Sequence, residues 1–398
     1  MMREPNRLPV AILAGCLALT GCSATVAGTP VVDPAAAPKP ETGSYPTAPR
    51  TIGVVTQEEG LVLEGNRMAE VIPMVHEVEP AFHLRGRMTS GAPTVGDASV
   101  KRIFGDAANR AIGSSAEVQV VMGAGEEPPG AKPDFSVDWR GVSVAVIRMP
   151  DEEAAARAVG ADLLAGEKDS SGKDSPKKLP AAIPGHERAV AYTQDFGQGL
   201  RPPTVAYLAH KRYVIGVYGD FSVEQIRTVF DRTTVGLDGF SPTSLGTLGR
   251  LRPDPEGVTR LTLAPERRDT GYSVPVRIGV LTQTDVSRSV KTFADAGVDV
   301  IGVGGSTVYR ARDESGARHV ADEFVAETKA AYKDVETETV KGVPGATCLT
   351  FRENEFAKTK NTYCVAPVGR YLGEFTSAQR VQAIQAIGAQ YLILQSQK

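Results

Sequence analysis

The residues of this chain with the most legible chemistry are its four cysteines. Leu19-Thr20-Gly21-Cys22 closes a short apolar run, Leu8 to Leu19, that follows Arg3 and Arg7. A cationic start and an apolar segment too short to span a bilayer have the layout of a secretory signal, and the small residues before Cys22 complete a lipobox. The chemistry of such a cysteine is acylation: the thiol takes a diacylglyceryl thioether and the preceding peptide is removed. Leu13-Ala14-Gly15-Cys16 fits the short pattern too, but far less of the apolar run precedes it, so Cys22 is the expected lipidation site. Two or three acyl chains hold a protein to a membrane much more firmly than one.

Cys348 and Cys364 are then the pair left in the mature chain. In an exported protein an even pair reads most simply as a disulfide, worth roughly 3 kcal/mol in the chain-entropy model for a loop of this length. The alternative, a metal or redox pair, lacks a histidine at ligand spacing and a Cys-x-x-Cys, so no metal site is expected.

Other reactive constellations are missing from the sequence. It has no Gly-x-Ser-x-Gly, His-Glu-x-x-His or complete penicillin-binding signature. Gly125 and Gly130 have phosphate-loop spacing, but Ala131 precedes Lys132 where Gly-Lys-Ser/Thr is needed. Gly302-Val303-Gly304-Gly305-Ser306 runs into a strand rather than a helix, so it reads as a turn and not a dinucleotide loop. None of the five histidines is paired at helical spacing, and Trp139 reads as a core-edge residue. Glu58-Glu59, Glu126-Glu127 and Asp151-Glu152-Glu153 could supply an acid and a base only if the fold brought two carboxyls together. No catalytic residue and no cofactor is therefore assigned.

The elements that position these residues follow from composition and spacing. A chain of 398 residues exceeds the size at which one hydrophobic core usually stops growing, so two domains are expected. With 44 Lys and Arg against 47 Asp and Glu there is no basic footprint for nucleic acid. Residues 1–21 read as signal peptide and 22–50, rich in Pro and Ala, as a tether. Residues 51–249 and 250–398 read as two α+β domains, with the Gly- and Pro-punctuated stretch 237–265 as linker. The charged stretch 166–178 reads as a solvated loop.

The two domains share landmarks. Arg148, Pro184-Gly185 and Arg212-Tyr213 in the first match Arg310, Pro344-Gly345 and Arg370-Tyr371 in the second. The intervals are 36 and 28 positions in the first and 34 and 26 in the second. Asp151 and Asp313 each open a helix, and Ser222 and Thr376, each followed three positions later by Gln, suggest capping boxes for the closing helices. Each half reads as roughly strand-helix-strand-strand-helix, an antiparallel-rich sheet with helices on one face. Amphipathic helices around Val100 and Val290 extend the pattern upstream.

These landmarks resemble a family of exported actinobacterial lipoproteins of unknown function with a two-part repeated α+β domain. The resemblance rests on Cys22 with Gly28-Thr29-Pro30, on Leu63-Glu64-Gly65-Asn66-Arg67-Met68-Ala69, on Ile183-Pro184-Gly185-His186, on Tyr309-Arg310-Ala311-Arg312-Asp313 and on Cys348 with Cys364. It implies an envelope protein on the outer face of the plasma membrane, anchored to the membrane through Cys22, and it carries no activity or catalytic residues with it. The expected function is non-enzymatic binding of a lipid, glycan or protein ligand in the groove between the halves. An envelope hydrolase with a carboxylate site and a structural accessory protein stand as alternatives.

Overall fold

The computed structural model describes residues 38–85, 94–95, 98–125, 140–168, 172–197, 201–265, 271–353 and 357–397. The signal, Cys22, most of the tether, Glu126, Glu127, Gly130 and Trp139 lie outside them. Residues 39–398 form one compact unit.

The first half runs α1 (Gln57–Ala69), α2 (Val75–Val78), β1 (Leu84–Arg85), β2 (Thr94–Val95), α3 (Ala98–Ala111), β3 (Val118–Gly125), β4 (Gly141–Arg148) and α4 (Glu152–Ala158). It continues through β5 (Lys178–Ala181), β6 (Val190–Gln194), β7 (Thr204–His210), β8 (Tyr213–Gly219) and α5 (Val223–Gly239). The second half runs β9 (Tyr272–Pro275), α6 (Val276–Gly279), α7 (Val286–Ala296), β10 (Val300–Val303), β11 (Thr307–Arg310) and α8 (Glu314–Ala331). It ends with β12 (Glu336–Thr339), β13 (Thr347–Phe351), β14 (Asn361–Val368), β15 (Tyr371–Ser377) and α9 (Arg380–Gln395).

The class is α+β, with two antiparallel sheets ordered β1-β3-β4-β8-β7-β6-β5 and β12-β13-β14-β15-β11-β10-β9. Each half carries more strands than the expected pattern: the stretches at the Arg-Tyr landmarks are hairpins turning at Arg212 and Arg370, and β1, β2, β5, β9 and β12 add to the outer parts of the sheets. Reading outward from β3 and from β10, the two sheets have the same order of strands. The same contacts fix them: Met149 N donates to Arg212 O at 2.8 Å, and Ala311 N to Arg370 O at 2.8 Å. Arg212 Nε returns to Met149 O at 2.9 Å, as Arg370 Nε does to Ala311 O at 3.0 Å. Asp151 and Asp313 cap α4 and α8 with their carboxylates. Gly185 and Gly345 both hold φ at +77°, a left-handed turn position that a side chain would strain.

Helices cover both faces of each sheet, not one. Strand residues alternate faces, so Val142, Val144 and Val146 meet α5 while Ala145 and Ile147 meet α3 and α4. In the second sheet Ile301, Tyr309 and Leu372 face α7 and α8, while Val300, Val308 and Val368 face α9. One apolar cluster joins the α5 face of the first sheet to the α7 and α8 face of the second. Each sheet buries two apolar faces, which one layer of helices could not cover.

Three further expectations are corrected. The tether does not run to residue 50: Tyr45 packs edge-on to Phe375 and Arg50 N bonds Arg260 O at 2.9 Å. The linker reading of 237–265 fails in part, because Val258, Leu261 and Leu263 are buried against the second sheet. Ser222 and Gln225 form the expected capping box. At α9 there is none, since β15 extends through Ser377 and the helix begins at Arg380 without a side-chain cap.

Candidate functional site

The β-pleat places Glu374 where a carboxyl is costly. Leu372 and Glu374 are two residues apart on β15 and so share the face that looks toward α8. Glu374 lies opposite Thr307 of β11 on one side and Val365 of β14 on the other. One pleat step along those neighbours stand Tyr309 and Tyr363. Tyr309 Oη donates to Glu374 Oε1 at 2.7 Å and Tyr363 Oη to Glu374 Oε2 at 2.7 Å. Gln283 Nε2 donates to Tyr309 Oη at 2.9 Å, which aims that hydroxyl's proton at the carboxyl.

Glu374, Tyr363 and Gln283 line a cavity of about 350 Å³, with Tyr309 buried behind them. Burial raises the Glu374 carboxyl above its ordinary value, and bonds from Tyr309, Tyr363 and Thr307 pull it only part of the way back. Tyr309 and Tyr363 are held well above the usual phenol range, first by burial and then by the carboxylate beside them. A second carboxyl, Glu327 of α8, lines the cavity and is also raised by burial, while it accepts a bond from Asp285 N at 2.8 Å. Tyr332 and Phe351 stack at 4.0 Å between ring centres on the same lining.

The walls belong mostly to the second half, and Asn66 of α1 and Arg85 of β1 complete them from the first. Asn66 is 7% exposed, and its Nδ2 is buried without a hydrogen-bond partner. An unsatisfied buried amide costs about 1–3 kcal/mol, a cost the fold carries at the wall of this cavity. The halves are locked beside this opening by Arg277 with Glu77 at 2.6 Å and by His83 with Asp285 at 3.0 Å.

The residues weighed for chemistry from the sequence lie elsewhere, although Asn66 and Tyr309 fall in stretches that carried the family resemblance. Cys348 and Cys364 face each other across β13 and β14 and are joined by a disulfide. Glu59 completes the capping box of α1, and Asp151 caps α4. His186 and His210 pair with Asp231 and Asp238. The glycine run ending at Ser306 is the β10–β11 turn, where Ser306 accepts from Leu263 N. Among the described residues no group of His, Cys, Asp and Glu could hold a metal ion, and no helix is long and apolar enough to cross a membrane.

An α+β protein of two like-ordered sheets, with a cavity between α8 and the second sheet, is the class these observations define. Two family models divide the chain: a domain of unknown function, DUF7373, in its N-terminal part over residues 53–253, and its C-terminal part over residues 248–397. The chain belongs to the DUF7373 family. It is similar to the crystal structure of the extracellular domain of PknH from Mycobacterium tuberculosis, at 15% identity and a TM-score of 0.29, over 47% of this chain and 99% of that one. No curated protein matches it.

Proposed function

We propose that this is an exported, lipid-anchored envelope protein of duplicated α+β design that binds a small ligand in the cavity beside Glu374. The observation that carries the reading is the convergence of Gln283, Glu327, Tyr363 and Glu374 on one cavity, with the Glu374 carboxyl held by two tyrosines. Pockets with a few converging polar groups on an apolar scaffold are the usual form of a binding site. The Cys348–Cys364 disulfide fits an oxidising compartment, and the Cys22 lipobox supplies the anchor.

Native mass spectrometry of the full chain, extracted from envelope, tests this. A co-purifying small molecule, lost from Asn66→Leu but retained by a surface variant such as Val235→Thr, is the expected result. A bare wild-type protein that also takes up nothing from envelope extract would overturn the binding reading. Cys22→Ala should move the chain out of the membrane fraction, and unchanged membrane retention would remove the anchor. A hydrolytic reading keeps a place because Glu374 and Glu327, both raised by burial, line one cavity. Turnover of wall fragments, abolished in Glu327→Gln, would establish it.

A further inference from the structure

A second opening lies where residues 49–54 cross residues 249–254. It is an open groove of about 620 Å³, lined by Arg50, Arg250, Arg252 and Arg260, with Asp254 as the acidic residue among them. That carboxylate is already engaged: Oδ1 accepts from Val258 N and Thr259 N at 2.9 Å, and Oδ2 from Arg260 N at 3.0 Å. Elsewhere guanidiniums sit on carboxylates, as Arg148 does on Glu117, Arg277 on Glu77 and Arg288 on Glu323. Here they do not. Among the described residues no carboxylate pairs with Arg250, Arg252 or Arg260, and the Arg260 side chain reaches only the Gln397 amide, at 2.8 Å. Arg50 is steered into the groove by its bond to Thr262 Oγ1 at 3.0 Å.

Gathering like charges costs free energy that an entering anion would repay, and planar guanidinium forks match phosphoryl oxygens in pairs. Val54, 88% exposed, stands on the same rim. An exposed aliphatic side chain beside arginines suits the boundary between head group and acyl chain.

We infer that this groove binds a phosphoryl anion, with Arg250 and Arg252 as its principal ligands and the head group of an anionic phospholipid as the source that Val54 favours. The site is separate from the cavity beside Glu374, so either can fail without the other.

Calorimetry on the full chain tests it with two probes, inorganic phosphate and dihexanoyl phosphatidylglycerol below its micelle concentration. Saturable binding is expected, weakened about tenfold or more in Arg250→Gln/Arg252→Gln and weakened by added salt. Both side chains are exposed and outside the core, so the variant should melt with the wild type. If it does not, Arg250→Lys/Arg252→Lys keeps the charge and should bind with only the paired geometry lost. Binding of both probes supports the phosphoryl site, and binding of the lipid alone supports it with the membrane as source. No saturable binding of either probe, or binding untouched by both variants, overturns it.

Discussion

Arg148 and Arg310 occupy the same place in the two sheets and face different surroundings. Arg148 ends β4 and Arg310 ends β11, each carbonyl accepts from the N–H of the acidic residue just before the preceding strand, and each guanidinium turns back to that residue's carboxylate. The partners are Glu117, 2.9 Å from Arg148 Nε, and Asp299, 2.8 Å from Arg310 Nε. The Arg148 side chain is 4% exposed and also reaches Glu64, itself fully buried, at 3.5 Å, and Thr243 O at 2.7 Å. Arg310 is 19% exposed and completes its set with Glu256 on the surface.

Opposite consequences follow from equivalent substitutions. Arg148→Ala removes the buried cation that Glu64 and Glu117 share, leaving Glu64 to Arg67 and Glu117 to Arg212, and should cost about 3 kcal/mol, the low end for breaking a buried pair. Arg310→Ala removes a pair whose acid stays half in water and should cost about 1 kcal/mol or less. Chemical denaturation of the two variants measures the difference, and equal losses would refute the distinction.

The Glu374 carboxyl gives a pH dependence of definite sign. Its folded value lies above the ordinary 4.5, so the fold favours the protonated form. Its contribution is most favourable below that value and is lost as pH rises through the folded value. Glu374→Gln removes the titration while keeping the shape. The stability of the wild type relative to this variant should therefore fall as pH rises above 4.5, until the folded carboxyl has ionised. Urea midpoints of the pair across that range check it, and a constant gap would contradict the burial of the charge.

Much of the frame was legible because it depends on local chemistry. Asp151 and Asp313 announce helix starts, Pro184-Gly185 and Pro344-Gly345 announce turns, and an even cysteine pair announces a disulfide. The cavity was not legible, because its groups come from α1, β11, α8, β14 and β15 and meet only through sheet order. One sign was available: Glu374 shares its face of β15 with the buried Leu372, and a carboxyl there needs partners. The two-faced coverage of the sheets was hidden for a related reason. Period-two alternation shows which residues share a face, but not which helix covers it.

The disulfide joins strands already paired, with a sequence separation of 16. Both sulfurs are buried, so alkylation without reduction should leave Cys348 and Cys364 unlabelled. Cys348→Ala/Cys364→Ala should lose about 3 kcal/mol while keeping the β13–β14 hairpin. Full labelling of the native chain would exclude the bond.

Gly388 tests whether residues 39–50 are part of the folded unit. α9 is buried nearly all round its middle, from Ala386 to Gln390, and a helix apolar on all sides needs a second cover besides its sheet. Residues 40–45 provide it. A Cβ on Gly388 would stand 2.2 Å from Glu41 O, a backbone atom that cannot swing aside. Alanine favours a helix over glycine by about 1 kcal/mol, but forcing a methyl into a filled contact costs typically 1–3 kcal/mol. Gly388→Ala should therefore destabilise slightly or release the strap, and hydrogen exchange at residues 40–46 should quicken while the centre of α9 stays protected. Unchanged exchange with raised stability would mean that the strap does not bear on the helix.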